Sequence, residues 1–268
     1  MNSYLKKTGF ALVWVIASMA IENSSQSQAL VGKDRKDTMS HGSVGVAVMR
    51  ADTIVVATES RTSTDGVVNP DTACKMTIVH GIVFAAAGLL KGNDATPGIV
   101  DYARSILAGP GKIESKTDMF QAGASRMLTS WLNDTDDRES LASSPDFRNR
   151  HSLHAVFCFF SKGRPVVVKY DFVPSLAAGR FKIGGAYDAG VRKPGEIVWI
   201  GEFEQTDSLM TKDSSFAKEI GRREAASAAI ALVRRQMQFT PTLVGGPIDI
   251  AIVTRTGARW IQRKQNCE

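Results

Sequence analysis

His41-Gly42-Ser43-Val44-Gly45-Val46-Ala47-Val48, Thr53-Ile54-Val55-Val56-Ala57-Thr58-Glu59-Ser60-Arg61 and Ala73-Cys74-Lys75 decide how this chain folds. A Gly-Ser junction opens one apolar run, a second run ends in an acid beside an arginine, and a lysine starts a third. Ser43, Glu59 and Lys75 therefore stand at neighbouring strand ends. The pattern predicts a hydroxyl on the first strand of a sheet with a charged pair gathered beside it. Freed of the residues before it, Ser43 would carry its own base, because an α-amine on the same residue can take the hydroxyl proton.

Outward from this stretch, strands are expected at 43–50, 53–58, 76–79 and 82–87, with turn signals at Arg50-Ala51-Asp52 and His80-Gly81. The unbroken run Ile82-Val83-Phe84-Ala85-Ala86-Ala87 fits a strand covered on both faces. Ile99, Ala103, Ile106 and Leu107 repeat at helical spacing up to Gly109-Pro110. Phe120, Ala124, Met127, Leu128 and Trp131 do the same after a cap at Ser115 or Thr117. Further strands are expected at 153–160, 165–173, 196–201, 248–254 and 258–262, and one long helix at 214–237, with Phe216, Ile220, Ile230, Val233 and Met237 on one face. Strands, two helices, strands, a helix and strands again predict an α+β fold, sheets packed face to face with helices outside.

Before the first strand the chain reads differently. Lys6-Lys7 precedes an apolar run from Phe10 to Ile21, shorter than the roughly 20 residues of a membrane span. Small-residue cleavage sites follow at Ser18-Met19-Ala20 and Ser27-Gln28-Ala29. Residues 1–29 are expected to be a signal peptide, residues 30–42 a short pro-segment or linker, and residues 43–268 the folded domain. The alternatives are an uncleaved anchor or a chain that stays in the cytoplasm. The net charge of +6 lies partly in Lys6, Lys7, Lys33, Arg35 and Lys36, and no basic stripe is interleaved with aromatics, so no nucleic-acid partner is expected. Cys74, Cys158 and Cys267 lack CxxC spacing, which argues against a disulfide scaffold or a zinc site and leaves one bridge open; Cys74 reads as a small packed residue. His151 and His154, three apart at a strand start, point to opposite faces. No metal or cofactor is expected, and Gly184-Gly185 with Gly190 makes no phosphate cradle.

Gly42-Ser43-Val44-Gly45-Val46-Ala47, the segment Ile54 to Arg61 and Lys75 resemble the opening of a proteasome β-type subunit. Ile82 to Gly88 is similar to that family's next strand, and Val244-Gly245-Gly246-Pro247 to the start of a late one. The resemblance spans roughly residues 43–262 and is closest over the first forty-five. It implies the four-layer αββα sandwich of the N-terminal nucleophile (Ntn) hydrolases, two antiparallel sheets with outer helices. It also implies an amide bond between Gly42 and Ser43 that the chain cleaves itself, with Ser43 as nucleophile, Lys75 lowering the hydroxyl's pKa or shuttling its proton, and Glu59 orienting Lys75. Arg61 supports the pair, and the backbone N–H of Gly88 serves as oxyanion donor.

The chain departs from the family at several points. Ser43 and Glu59 stand where threonine and aspartate are usual. The family's late Asp and Ser would fall near Pro241 and Val244, and Glu202 replaces a serine after Gly201. Their role would pass to Thr240, Thr242 or Asp249. Three functions follow from the resemblance: a self-processing hydrolase of peptide bonds, a catalytically inactive structural subunit, or an exported small-molecule amidase. A homo-oligomer, with a ring as one form, is implied as well; an exported one would have no ATPase partner.

Overall fold

The computed structural model describes residues 40–42, 44–64, 67–69, 73–91, 97–136, 138–143, 147, 152–242, 244–265 and 267. The described residues all belong to one compact unit, Arg35–Glu268. The expected signal peptide and Ser43 itself lie outside the described residues.

Two antiparallel sheets carry the fold. The first contains β1 (Ser40–Gly42), β4 (Thr62–Thr64), β5 (Val67–Asn69), β6 (Met76–Val79), β7 (Ile82–Lys91), β8 (Leu153–Ser161), β9 (Arg164–Ala177) and β10 (Arg180–Val191). Its order is β10-β9-β8-β7-β1-β4-β5, with β6 also paired to β7. The second contains β2 (Val44–Met49), β3 (Thr53–Glu59), β11 (Ile197–Gly201), β12 (Ile248–Thr254) and β13 (Gly257–Gln262), in the order β11-β2-β3-β12-β13. Three hairpins turn on an X-Gly pair with both φ angles positive: His80-Gly81, Lys162-Gly163 and Ala178-Gly179. That geometry matches the twist of the flanking strands.

Alternation along each strand sorts the side chains into three apolar layers. Phe84, Ala86, Phe157, Tyr170 and Phe172 of the first sheet pack beneath α1 (Ile99–Ala108) and α2 (Ile113–Asp134), through Ile99, Ala103, Phe120 and Leu128. Val46, Val48, Val55 and Ala57 of the second sheet pack beneath α5 (Ser214–Arg222) and α6 (Ala225–Phe239), through Phe216, Ile220, Ala228 and Leu232. Ala47, Met49, Ile54 and Val56 meet Val83, Ala85, Val156 and Cys158 between the sheets. The result is α+β, and the layering is compatible with a sandwich. Among the described residues, no helix is long and apolar enough to cross a membrane.

Several expectations are corrected. The single helix at 214–237 is two, and α4 (Glu204–Lys212) precedes them. Arg223 and Glu224 take extended ψ values of 151° between α5 and α6. Asp213 begins α5, its carboxylate accepting from the N–H groups of Ser215 and Phe216, a cap that satisfies donors no helical carbonyl reaches. α3 (Arg138–Ser143), β4, β5 and the twelve-residue β10 were not expected. The linker expected at 30–42 ends in β1, which pairs with both β4 and β7.

Candidate active site

Glu59 is the last residue of β3, and Lys75 stands immediately before β6. Both side chains are fully buried and form an ion pair, Lys75 Nζ against Glu59 Oε1. The ammonium also donates to the carbonyl of Arg61 at 2.6 Å. Burial of two opposite charges is tolerated only where each is paired and its remaining hydrogen-bonding capacity is met. Here that condition holds for the carboxylate: Glu59 Oε2 accepts from the N–H of Arg61 at 2.6 Å and of Gly245 at 3.1 Å. Glu59 Oε1 accepts a further N–H, that of Val44, at 3.2 Å.

This last bond relates the pair to the Gly-Ser junction. Ser43 lies outside the described residues, but the residues on either side of it are fixed. Gly42 pairs with Gly88 and Thr62 in the first sheet, and Val44 pairs with Gly201 in the second. Gly42 thus belongs to the first sheet and Val44 to the second. The Val44 amide, one peptide bond from Ser43, rests on the carboxylate that holds Lys75.

Gly88 has φ +116°, and a Cβ there would come within 2.5 Å of the Ser152 carbonyl oxygen. Only glycine fits this crossing of backbones. Arg61 donates through its guanidinium to the carbonyl of Pro241, and a Cβ on Gly245 would lie 2.4 Å from its central carbon. Gly245 therefore serves twice, giving its N–H to Glu59 and its open face to Arg61. The run Val244-Gly245-Gly246-Pro247 was the sequence signal for it.

Of the residues considered as replacements for the missing late Asp and Ser, Thr240 bonds back to the Gln236 carbonyl at the end of α6, and Thr242 is exposed. Asp249 is buried and holds Lys264, with its Oδ2 3.3 Å from the ammonium. Glu202 is exposed. The hydroxyls of Thr58 and Ser152 are buried with no hydrogen-bond partner among the described residues. Cys74 is not simply a packed small residue but bridges to Cys267, a pairing across 193 residues that local sequence does not reveal.

Burial pushes the Lys75 ammonium below its ordinary pKa; Glu59 opposes this, and Lys264 and Arg61 add to it. A lysine so placed gives up its proton more readily than one in water. His154 Nδ1 lies 2.6 Å from Asp171 Oδ1, and Lys169 is 3.1 Å from the other carboxylate oxygen. Burial would raise the Asp171 carboxyl, but His154 and Lys169 together hold it below its ordinary value. His154 faces Ala87 across β7 and β8, and His151 lies outside the described residues. Among the described residues no group of His, Cys, Asp and Glu has the arrangement of a metal site. No family model and no curated sequence matches the chain.

Proposed function

We propose that this chain is an Ntn hydrolase of the proteasome β-subunit type, cleaving peptide or other amide bonds with Ser43 as nucleophile. The observation that carries the reading is the buried Lys75 and Glu59 pair, joined through Glu59 Oε1 to the Val44 amide. In the first step the Ser43 hydroxyl attacks the Gly42 carbonyl carbon. The peptide C–N bond breaks, its nitrogen takes the hydroxyl proton, and an ester remains. Water then hydrolyses the ester, leaving a Gly42 carboxylate and Ser43 with a free α-amine and a restored hydroxyl. That amine, with an ordinary pKa of about 7.7–8.0, becomes the base for substrate. Lys75 supplies positive charge or carries the proton, Glu59 aims it, Arg61 braces Glu59, and a Gly88 N–H receives the oxyanion.

The test is intact mass and N-terminal sequencing of the purified protein. A start at Ser43, abolished by Ser43→Ala, is the expected result. An intact Gly42-Ser43 bond and no effect of Ser43→Ala would remove the reading. Comparing peptide with acylated-amine substrates then separates a peptidase from a small-molecule amidase. The Cys74–Cys267 bridge supports an exported, oxidising location, where no ATP-driven partner would be present. A homo-oligomer is part of the proposal, and a monomeric mass in light scattering would count against it.

A second reading, a non-catalytic subunit, is favoured by one observation. β1 is hydrogen-bonded on both sides, to β4 and β7, so the segment before Ser43 is an internal strand of its sheet. Under this reading Gly42 and Ser43 stay joined, which the same mass measurement decides.

A further inference from the structure

We infer that Cys267 and Lys264, in the tail that follows β13, form a clamp that positions Lys75, so that the site is assembled only while the Cys74–Cys267 disulfide is intact. The role given to Lys75 rests on the hydrolase reading; the clamp itself rests on contacts.

Residues 73–75 belong to no helix or strand, so their position depends on specific ties. The Ala73 N–H donates to the Ser60 carbonyl at 3.3 Å, and the Lys75 carbonyl accepts from the Ala86 N–H at 2.9 Å. Two further ties come from the tail. Cys74, directly before Lys75, is bonded to Cys267, and the Lys264 ammonium donates to the Ala73 carbonyl. Lys264 is in turn seated by Asp249, which accepts its backbone N–H at 2.8 Å and faces its ammonium at 3.3 Å. Asp249 follows Ile248, the partner of Glu59 across β12 and β3. The contacts close a circuit: Glu59, Lys75, Ala73, Lys264, Asp249 and back to the strand beside Glu59.

A fully buried ammonium tolerates little displacement, because a misplaced charge loses its partner without regaining water. Losing the bridge frees Cys267 and one of the two tail ties. Losing the Lys264 charge frees the other and removes a cation that holds the Lys75 pKa down. The charged groups facing Lys75 are Glu59, which raises that pKa, and Arg61 and Lys264, which lower it. A dithiol reductant opens the bridge by giving it two electrons and two protons, yielding two protein thiols and the oxidised cyclic reagent.

The experiment uses the full-length purified protein with two readouts at each pH: acetylation of Lys75 by acetic anhydride, mapped by mass spectrometry, and hydrolysis of a peptide amide. The forms compared are wild type, wild type reduced with dithiothreitol, Cys267→Ser, Lys264→Met and Lys264→Arg. Opening the bridge is expected to speed Lys75 acetylation about tenfold and to lower kcat by on the order of ten- to a hundredfold with KM little changed, as for a small misplacement of a reacting group. Lys264→Met moves the acetylation curve to higher pH, and Lys264→Arg restores it. If the reduced protein stays folded and its Lys75 acetylation matches the oxidised form, the clamp is overturned; an unmoved Lys264→Met curve overturns it equally. If acetylation responds but no form hydrolyses any substrate, the clamp stands and the hydrolase reading falls.

Discussion

The middle of the layer between the sheets and the end of the second sheet are both buried, but they are built from opposite materials. The middle is Ala47, Ile54, Val56, Ala85, Val156 and Ala251, all fully buried, small or branched side chains that need only fill space. The end, where β2 begins and β3 stops, buries Glu59, Lys75 and Asp249, groups that each require a specific partner. Displacement in the middle costs contacts in proportion to volume. Displacement at the end strands a charge, a cost that is larger and also depends on pH. A chain does not need such a cluster to fold, which is why this end, and not the larger apolar layers, is where chemistry is proposed.

The largest expected effect breaks the charged end directly. Lys75→Ala leaves Glu59 buried without its cation and should destabilise the fold by about 3–5 kcal/mol, measured by chemical denaturation. A loss below about 1 kcal/mol would mean that water or another cation already serves Glu59, and the contrast would fail. The pH dependence has a definite sign. The Lys75 pKa is lower in the folded protein than its ordinary 10.5. The unfolded chain therefore holds more protons between the two values, and stability from this group rises with pH across that window. The stability of wild type relative to Lys75→Met should accordingly increase as pH is raised toward 10.5.

A smaller effect comes from Gly88→Ala, whose Cβ would meet the Ser152 carbonyl at a positive φ. About 1–3 kcal/mol of strain is expected, with the proposed processing at Gly42-Ser43 slowed because Gly42 pairs with Gly88; normal processing in a destabilised variant would separate the two roles. In the apolar middle, Ile54→Val should cost only about 0.5–1.5 kcal/mol with no pH dependence, and a pH-dependent loss there would blur the distinction between the regions. The smallest effect is chemical. Cys158 is buried in the middle layer and its thiol is pushed up to about 12. The native protein should therefore take no alkylating label at pH 8, while the unfolded, unreduced chain takes one. Labelling of the native form would show that the middle opens readily.

Most of the second sheet was legible in the residues because its strands are short, apolar and bounded by turn signals. The same holds for α1 and α2, whose buried positions recur at helical spacing. β10 was not legible: its residues 184–190 are all exposed or half-exposed, so no alternation marks them, and the Ala178-Gly179 turn that sets them against β9 lacks the Asn or Asp usual at positive φ. The break between α5 and α6 was equally hidden, since the apolar spacing runs on through Arg223 and Glu224 while the backbone does not. At the site, Glu59 and Lys75 could be paired from their places at strand ends, while Gly245 stood only in a run likened to the start of a late strand.

Local pattern, then, was enough for most of the strands, though not β4, β5 or β10, for the two-helix layer and for a charged pair beside a Gly-Ser junction, because periodicity and charge are properties of neighbours along the chain. The Val44 contact to Glu59, the Gly245 brace, the Lys264 and Asp249 seat and the Cys74–Cys267 bridge had to wait for the packed molecule. Each joins residues that are distant in sequence or sits where two sheets meet. Which buried charge finds which partner is decided by how the layers stack, and no local spacing encodes that.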